Sequence, residues 1–177
     1  MNSRGLTKEL MEEMISSTES SLIRYTIGFV GSLELAQEIV QDSYLKLWNN
    51  PPDKIEGYFT EWLFTVCRNR ALDHLRKEVT VKGKKVMLQA HNEDNYKEIE
   101  NELEQKQTHA MVSQLFNELD AEAREILRLK FQEEMTYHQI ARITGKSVSH
   151  VGVIIHNSVK KLRENLDNDL NFDGGSK

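Results

Sequence analysis

The chain has 177 residues, room for one ordinary domain or two small ones. Its single cysteine, Cys67, excludes an internal disulfide and suits a reducing compartment, while a net charge of −5 argues against a general nucleic-acid coat. No stretch approaches the roughly 18–20 apolar residues of a membrane span, and the charged start MNSRGLTKELMEEMISS lacks a signal-peptide core, so the chain reads as soluble and cytoplasmic with no membrane partner.

Two prolines and few glycines, with Leu, Glu, Lys and Ile throughout, predict an all-α fold. A first helix is expected over 7–30, with a turn at Gly31–Ser32. A second covers 33–50 and must stop at Pro51 and Pro52, which cannot continue it. A third spans 58–77. The stretch 78–105 loses helical periodicity and gains acid in HNEDNYKEIENELEQ, so it reads as a flexible acidic linker. Helicity resumes near 106, through THAMVSQLFNEL and DAEAREILRLKFQ, into a helix-turn-helix pattern. The tail 167–177 reads as loose. The organisation expected is therefore two small helical domains, 1–77 and 106–166, joined by the linker.

Charge is segregated along this plan. Four basic residues (Arg68, Arg70, Arg76, Lys77) face only Asp73 between Phe64 and Lys77, and no Asp or Glu occurs between Lys146 and Arg163. Two cation-bearing modules flank an acidic connector, a pattern that net charge alone conceals.

Helix 33–50 has the clearest division of faces. At 100° per residue Ala36, Ile39, Val40, Tyr44 and Leu47 share one face and should be core, while Glu38, Gln41 and Asp42 form a polar patch on the opposite side. In 58–77, Trp62, Leu63, Val66 and Leu72 have core spacing. Asn69 and Asp73, four apart, share a face.

In the helix-turn-helix pattern Ile140, Ala141 and Ile143 pack the first helix, Gly145 permits the corner, and Ser147 can cap the second helix. Val148, Val151, Ile155, Val159 and Leu162 give that second helix a buried stripe. Its outward face holds Ser149, His150, Gly152, Val153, His156, Asn157, Lys160 and Lys161.

Catalytic and metal chemistry find no footing in these motifs. Cys67 reads as a core or boundary residue without a dyad partner, and the six histidines lack ligand spacing. The GKS at 145–147 is not a phosphate loop, because the required earlier glycine falls on Ile140. Glu133 and Glu134 read as a solvated turn. No enzyme, no metal and no cofactor are expected.

The pair AQEIVQDSYLKLW and FTEWLFTVCRNRALDHLRK resembles the second domain of bacterial sigma factors of the extracytoplasmic-function type. LDAEAREILRLKFQEEMTYHQIARITGKSVSHVGVIIHNSVKKLRENL resembles the fourth domain of the same family, and the two occur in the family's order. The resemblance implies a non-catalytic initiation subunit that binds core RNA polymerase and promoter DNA. It implies that Glu38, Gln41 and Asp42 dock on the β′ clamp coiled coil, with the β flap a second polymerase contact. Strand capture at the −10 element needs stacking surfaces and cations that follow phosphate. Tyr58, Phe59, Arg68, Asn69, Arg70, Asp73, Arg76 and Lys77 are the residues that would supply them. The resemblance also sends the acidic connector toward the RNA exit path, where Glu93, Asp94, Glu98, Glu100, Glu102 and Glu104 would mimic RNA.

For the −35 element the reading residues implied are Lys146, Ser149, His150, His156, Asn157, Lys160 and Lys161. Relatives commonly carry Lys or Arg where this chain has Gly152, Ile154 and Asn157. Each bidentate Arg–guanine contact contributes about 1–3 kcal/mol of discrimination, so lacking two leaves the reader about 2–6 kcal/mol short. The reading helix is therefore expected to be weak, with tethering by polymerase, and by a second DNA-bound recruiting protein, making up the difference. An anti-sigma factor is a further partner to be considered. Two other classes compete. A stand-alone helix-turn-helix regulator would leave Glu38, Gln41 and Asp42 without a role. A polymerase-binding adaptor that does not read DNA would tolerate loss of Asn69 and its neighbouring cations.

Overall fold

The computed structural model describes residues 6–49, 57–82, 116 and 118–172. They form six α-helices and fall into two compact units. The expected helical start near 106 and the connector's acidic stretch lie outside the described residues, as do residues 173–177 of the expected loose tail.

The first unit contains α1 (Lys8–Val30), α2 (Leu33–Asn49) and α3 (Phe59–Lys82), each packed against the other two. Thr7 starts α1 by accepting the Leu10 N–H on its hydroxyl at 3.2 Å. Gly31 ends it in the left-handed region, φ 66°, where its N–H reaches the Ile27 carbonyl. One residue on, the Ser32 hydroxyl accepts the Leu35 N–H and opens α2. A glycine stop followed at once by a serine start makes this corner only two residues long.

The core of this unit is the seam predicted for α2. Ala36, Ile39, Val40, Tyr44 and Leu47 are all buried, joined by Leu22 and Tyr25 of α1 and Leu63 and Phe64 of α3. The Tyr25 ring meets Phe29 edge-on and Phe64 at a tilt, with centroids 5.1 and 5.0 Å apart. Along α3 the buried residues include Leu63, Phe64, Val66, Cys67 and Ala71, whereas Trp62 and Leu72 stay half-buried. The seam of α3 is thus rotated from the expected one, because α3 packs on two helices and needs a wider apolar face than a single stripe.

Helix α3 continues to Lys82, past the expected boundary at 77. Val79, Thr80 and Val81 are only mild helix opponents, and the first strong breaker in the sequence is Gly83.

The second unit contains α4 (Ala121–Leu127), the part of α5 (Tyr137–Thr144) up to Ala141, and α6 (Val148–Phe172). Asp120 caps α4 by accepting the Ala123 N–H at 2.7 Å. The backbone then widens into a π-helical turn over Arg128–Gln132, closed by the Glu133 N–H on the Arg128 carbonyl. Helix α5 opens with a reciprocal capping box. The Thr136 hydroxyl accepts the Gln139 N–H, and the Gln139 side chain accepts the Thr136 N–H at 2.9 Å.

Gly145 turns the corner with φ 72°, and Ser147 caps α6 by accepting the His150 N–H at 3.1 Å. Ile126, Leu127, Leu129, Ile140, Val151 and Ile155 are buried here.

The stripe along α6 differs from expectation: of the five positions only Val151 and Ile155 are buried, and Val159 and Leu162 are half-buried. Val148 is exposed, since the first residue of a capped helix precedes the turn that packs, and Ser158 is buried among Val151 and Ile155 at helical spacing. Helix α6 also runs to Phe172, into the expected tail, because neither glycine nor proline intervenes before Gly174. No helix among the described residues is long and apolar enough to cross a membrane.

Leu63 is fully buried where α3 meets its neighbours. Leu63→Ala should destabilise the first unit by about 2–5 kcal/mol, read as a lowered urea midpoint with an unchanged m-value.

Candidate polymerase and promoter surfaces

Because one side of α2 is sealed in the core, its other side is fixed outward. Glu38 and Gln41 are exposed there and Asp42 is half-exposed. The patch is not purely polar, as the sequence pattern had suggested. Leu45 is 57% exposed and Trp48 37%, one and two turns further along the same face as Gln41. An exposed leucine and tryptophan framed by Glu38 and Gln41 have the make-up of an interface anchor with a polar rim. The signal was legible: 38, 41, 45 and 48 follow 3–4–3 spacing.

Asp42 faces differently from its neighbours. It accepts an ion-paired hydrogen bond from Arg70 of α3, both side chains being partly exposed. One expected docking residue and one expected DNA residue are therefore partners, which sequence separation hid. The Arg70 guanidinium is directed at α2 in this structure.

The rest of the α3 surface is more open. Asn69 and Asp73 are exposed one turn apart, and Arg76 donates to Asp73 at 2.7 Å across an exposed i,i+3 step. Arg76 and Lys77 are exposed and Arg68 is half-buried. Tyr58 is exposed just before α3 and Phe59 is half-buried at its first turn. The structure thus brings Asn69, Asp73, Arg76 and Lys77 onto successive turns of one helix. Cys67 lies beneath them, fully buried, donating to the Ser43 hydroxyl at 3.4 Å. Burial pushes its thiol up to about 11, against the pull of that hydrogen bond, so it stays neutral and unreactive.

On α6 the side chains of Ser149, His150, Val153, His156, Asn157, Lys160 and Lys161 are exposed. Gly152 is not part of that open face. It lies under the Tyr137 ring, and a Cβ there would sit 3.6 Å from the ring edge. Ile154 is likewise half-buried. Two of the three positions that lack the expected basic residue are therefore flanks, and the shortfall in charge concentrates at Asn157.

The cations are unequally available. Lys146 is ion-paired with Glu122 of α4, and Lys161 donates to the Glu118 carbonyl at 2.8 Å. Lys160 lies 3.8 Å from Glu164, and both are largely exposed.

The chain matches known families in two blocks. Residues 14–80 match the Sigma-70 region 2 family and residues 115–164 match Sigma-70, region 4. The RNA polymerase sigma factor SigV of Bacillus subtilis is 24% identical over 178 residues, covering 94% of this chain and 96% of that protein. The ECF RNA polymerase sigma factor SigK of Mycobacterium tuberculosis is 23% identical over 166 residues, covering 92% and 89%. Among solved structures, the sigma factor RpoE in complex with the anti-sigma factor NepR, from Bartonella quintana, shares the fold at TM-score 0.68 and 20% identity, covering 91% of this chain and 98% of that one. CnrH in complex with the cytosolic domain of CnrY does so at TM-score 0.63 and 20% identity, covering 92% and 91%.

Proposed function

The chain belongs to the sigma-70 family, in its extracytoplasmic-function type with regions 2 and 4, and from that premise we propose which of its surfaces performs each step of initiation. It is an alternative sigma factor: it binds core RNA polymerase and directs transcription initiation at promoters. It acts by binding and strand capture in the cytoplasm, with no catalysis and no cofactor of its own.

Docking on the β′ clamp falls to α2. The observation that carries this reading is the exposed Leu45–Trp48 pair set among Glu38 and Gln41 on the face opposite the core. Apolar area in the centre supplies affinity and the polar rim supplies orientation. Asp42 takes part through Arg70, which holds its carboxylate in place.

Strand capture falls to α3. Asn69 and Asp73 present hydrogen-bonding groups to a flipped base edge, Tyr58 and Phe59 offer stacking surface, and Arg68, Arg76 and Lys77 follow phosphate. Arg70 contributes there only if the Asp42 pair opens.

The −35 region falls to α6, through Ser149, His150, His156, Asn157 and Lys160. Lys146 and Lys161, tied to Glu122 and Glu118, serve mainly as struts. The β flap is a second polymerase contact for this unit. A reader with so few free cations gains from a tether, and a second DNA-bound protein is the recruiting partner that fits this need. An anti-sigma factor is a further partner, in keeping with the RpoE neighbour captured with NepR.

Docking is tested with positions that leave the Arg70 pair intact. Leu45→Asp and Glu38→Lys should each lower affinity for core polymerase by about tenfold or more, with unchanged helicity, because exposed positions carry little folding energy. Full-strength assembly with core would remove this face from the interface.

Strand capture is tested on promoters recovered from a library. Asn69→Ala should reduce open-complex formation on duplex DNA more than binding to templates with a preformed bubble. Lys77→Ala and Arg76→Ala should instead weaken binding evenly across sequences, lowering the salt slope by about 0.7–0.9 for each phosphate no longer neutralised.

Upstream reading has its own measure. Scrambling the −35 segment should cost the holoenzyme no more than about tenfold in binding, where a full reader would lose about 1–3 kcal/mol at each altered base pair.

A further inference from the structure

The outward face of α6 carries one feature that neither charge nor hydrogen bonding explains. Val153 is 55% exposed at the centre of that face, while Val151 and Ile155 on either side of it are buried. Ser149 and His150 lie one turn before it, and His156 and Asn157 one turn after, all exposed. A valine surrounded by polar side chains gains nothing from water, and it is not part of the unit's own core.

Major-groove chemistry offers such a side chain one specific partner, the C5-methyl group of thymine. Valine suits that contact. It is short, its two methyl groups project from Cβ, and in a helix χ1 is almost confined to one rotamer, so little freedom is lost on binding. Asn157, on the next turn, has the amide that pairs bidentately with adenine N6 and N7. Meanwhile the leading turns, Ser147 to Asn157, contain no Arg or Lys that would select guanine.

We infer that Val153 reads a thymine methyl in the upstream promoter element and is a specificity-determining residue of this helix. The inference rests on α6 being the −35 reader. It commits the element to a thymine opposite Val153 and favours adenine beside it at Asn157. Burying roughly one methyl group against another gives about a three- to fivefold preference for thymine over the same base lacking its methyl. That is modest, in keeping with a weak reader.

The test uses holoenzyme assembled from core polymerase and the full chain on a library-selected promoter. Each upstream thymine, on either strand, is replaced in turn by deoxyuridine, which removes the methyl and leaves the pairing edge unchanged. One replacement should lower binding by about three- to fivefold for the unaltered protein. Val153→Ala, at an exposed position that the fold tolerates, should bind the thymine promoter by the same factor more weakly and lose the difference between thymine and deoxyuridine there. Val153→Thr, which keeps one methyl, should retain part of it.

If a deoxyuridine penalty persists undiminished in Val153→Ala, another side chain reads the methyl and the inference fails. No penalty at any thymine, while scrambling the −35 segment still weakens binding, overturns it too but leaves α6 as the reader. If scrambling itself has no effect, α6 does not select sequence, and the inference falls with that reading.

Discussion

The rotation of α2 about its own axis is the constraint on which the first unit depends. Ala36, Ile39, Val40, Tyr44 and Leu47 are sealed between α1 and α3, and two buried polar pairs pin that register. The Tyr44 and Thr18 hydroxyls meet at 2.7 Å across the α1–α2 interface, and burial pushes the Tyr44 phenol up to about 12, so it stays protonated. The Ser43 hydroxyl accepts the Cys67 thiol across the α2–α3 interface while donating to the Ile39 carbonyl at 2.7 Å. Turning α2 by one residue would unpair these groups at about 1–3 kcal/mol each and drive polar Glu38 or Asp42 toward the core. The outward face of α2 is consequently set by the interior, residue by residue.

A second constraint concerns charge. The chain is acidic overall, yet it must hold a polyanion, and it manages this by keeping carboxylates beside the cations without fixing them deeply. Arg70–Asp42, Arg76–Asp73 and Lys160–Glu164 are all partly exposed pairs. Such pairs contribute about 0–1 kcal/mol, so exchanging a carboxylate for a phosphate costs little. Each of these carboxylates offsets the positive charge of the cation beside it. A backbone phosphodiester carries the same single charge as a carboxylate, but phosphates are closely spaced along a strand, so on the surfaces proposed to meet DNA they can take the carboxylates' place.

Much of this was legible from the sequence. The helix breaks at Gly31 and Gly145, the cap at Ser147 and the sealed face of α2 follow from local chemistry and a 3.6-residue period, which require no knowledge of the partners. What escaped depends on neighbours from elsewhere in the chain. Nothing within α6 says that Gly152 lies under Tyr137, and nothing within α3 says that Arg70 reaches Asp42. The rotated seam of α3 escaped for the same reason, since its width is set by two partner helices. Leu45 and Trp48 were a different kind of miss. Their period is visible in the sequence, but two apolar residues among polar ones read as ordinary surface until the core face is fixed. The Thr136–Gln139 capping box was likewise readable, as a Thr followed three residues later by Gln at a helix start.

An upstream reader as weak as the one proposed for α6 is compatible with an effective initiation factor because the two units share one chain and one polymerase. Non-specific DNA binding has Kd values down from about 10⁻⁴ M, and a short tether supplies an effective concentration near 10⁻³ M. At those values α6 would already be about nine-tenths bound without reading a single base. More phosphate affinity would add little occupancy and would hold the enzyme equally well at wrong sites. What remains useful is discrimination that leaves affinity nearly unchanged. A short apolar contact does this better than an arginine, whose charge grips any sequence before its geometry selects one. The polar, carboxylate-free face around Val153 is therefore suited to a reader whose position is supplied by tethering.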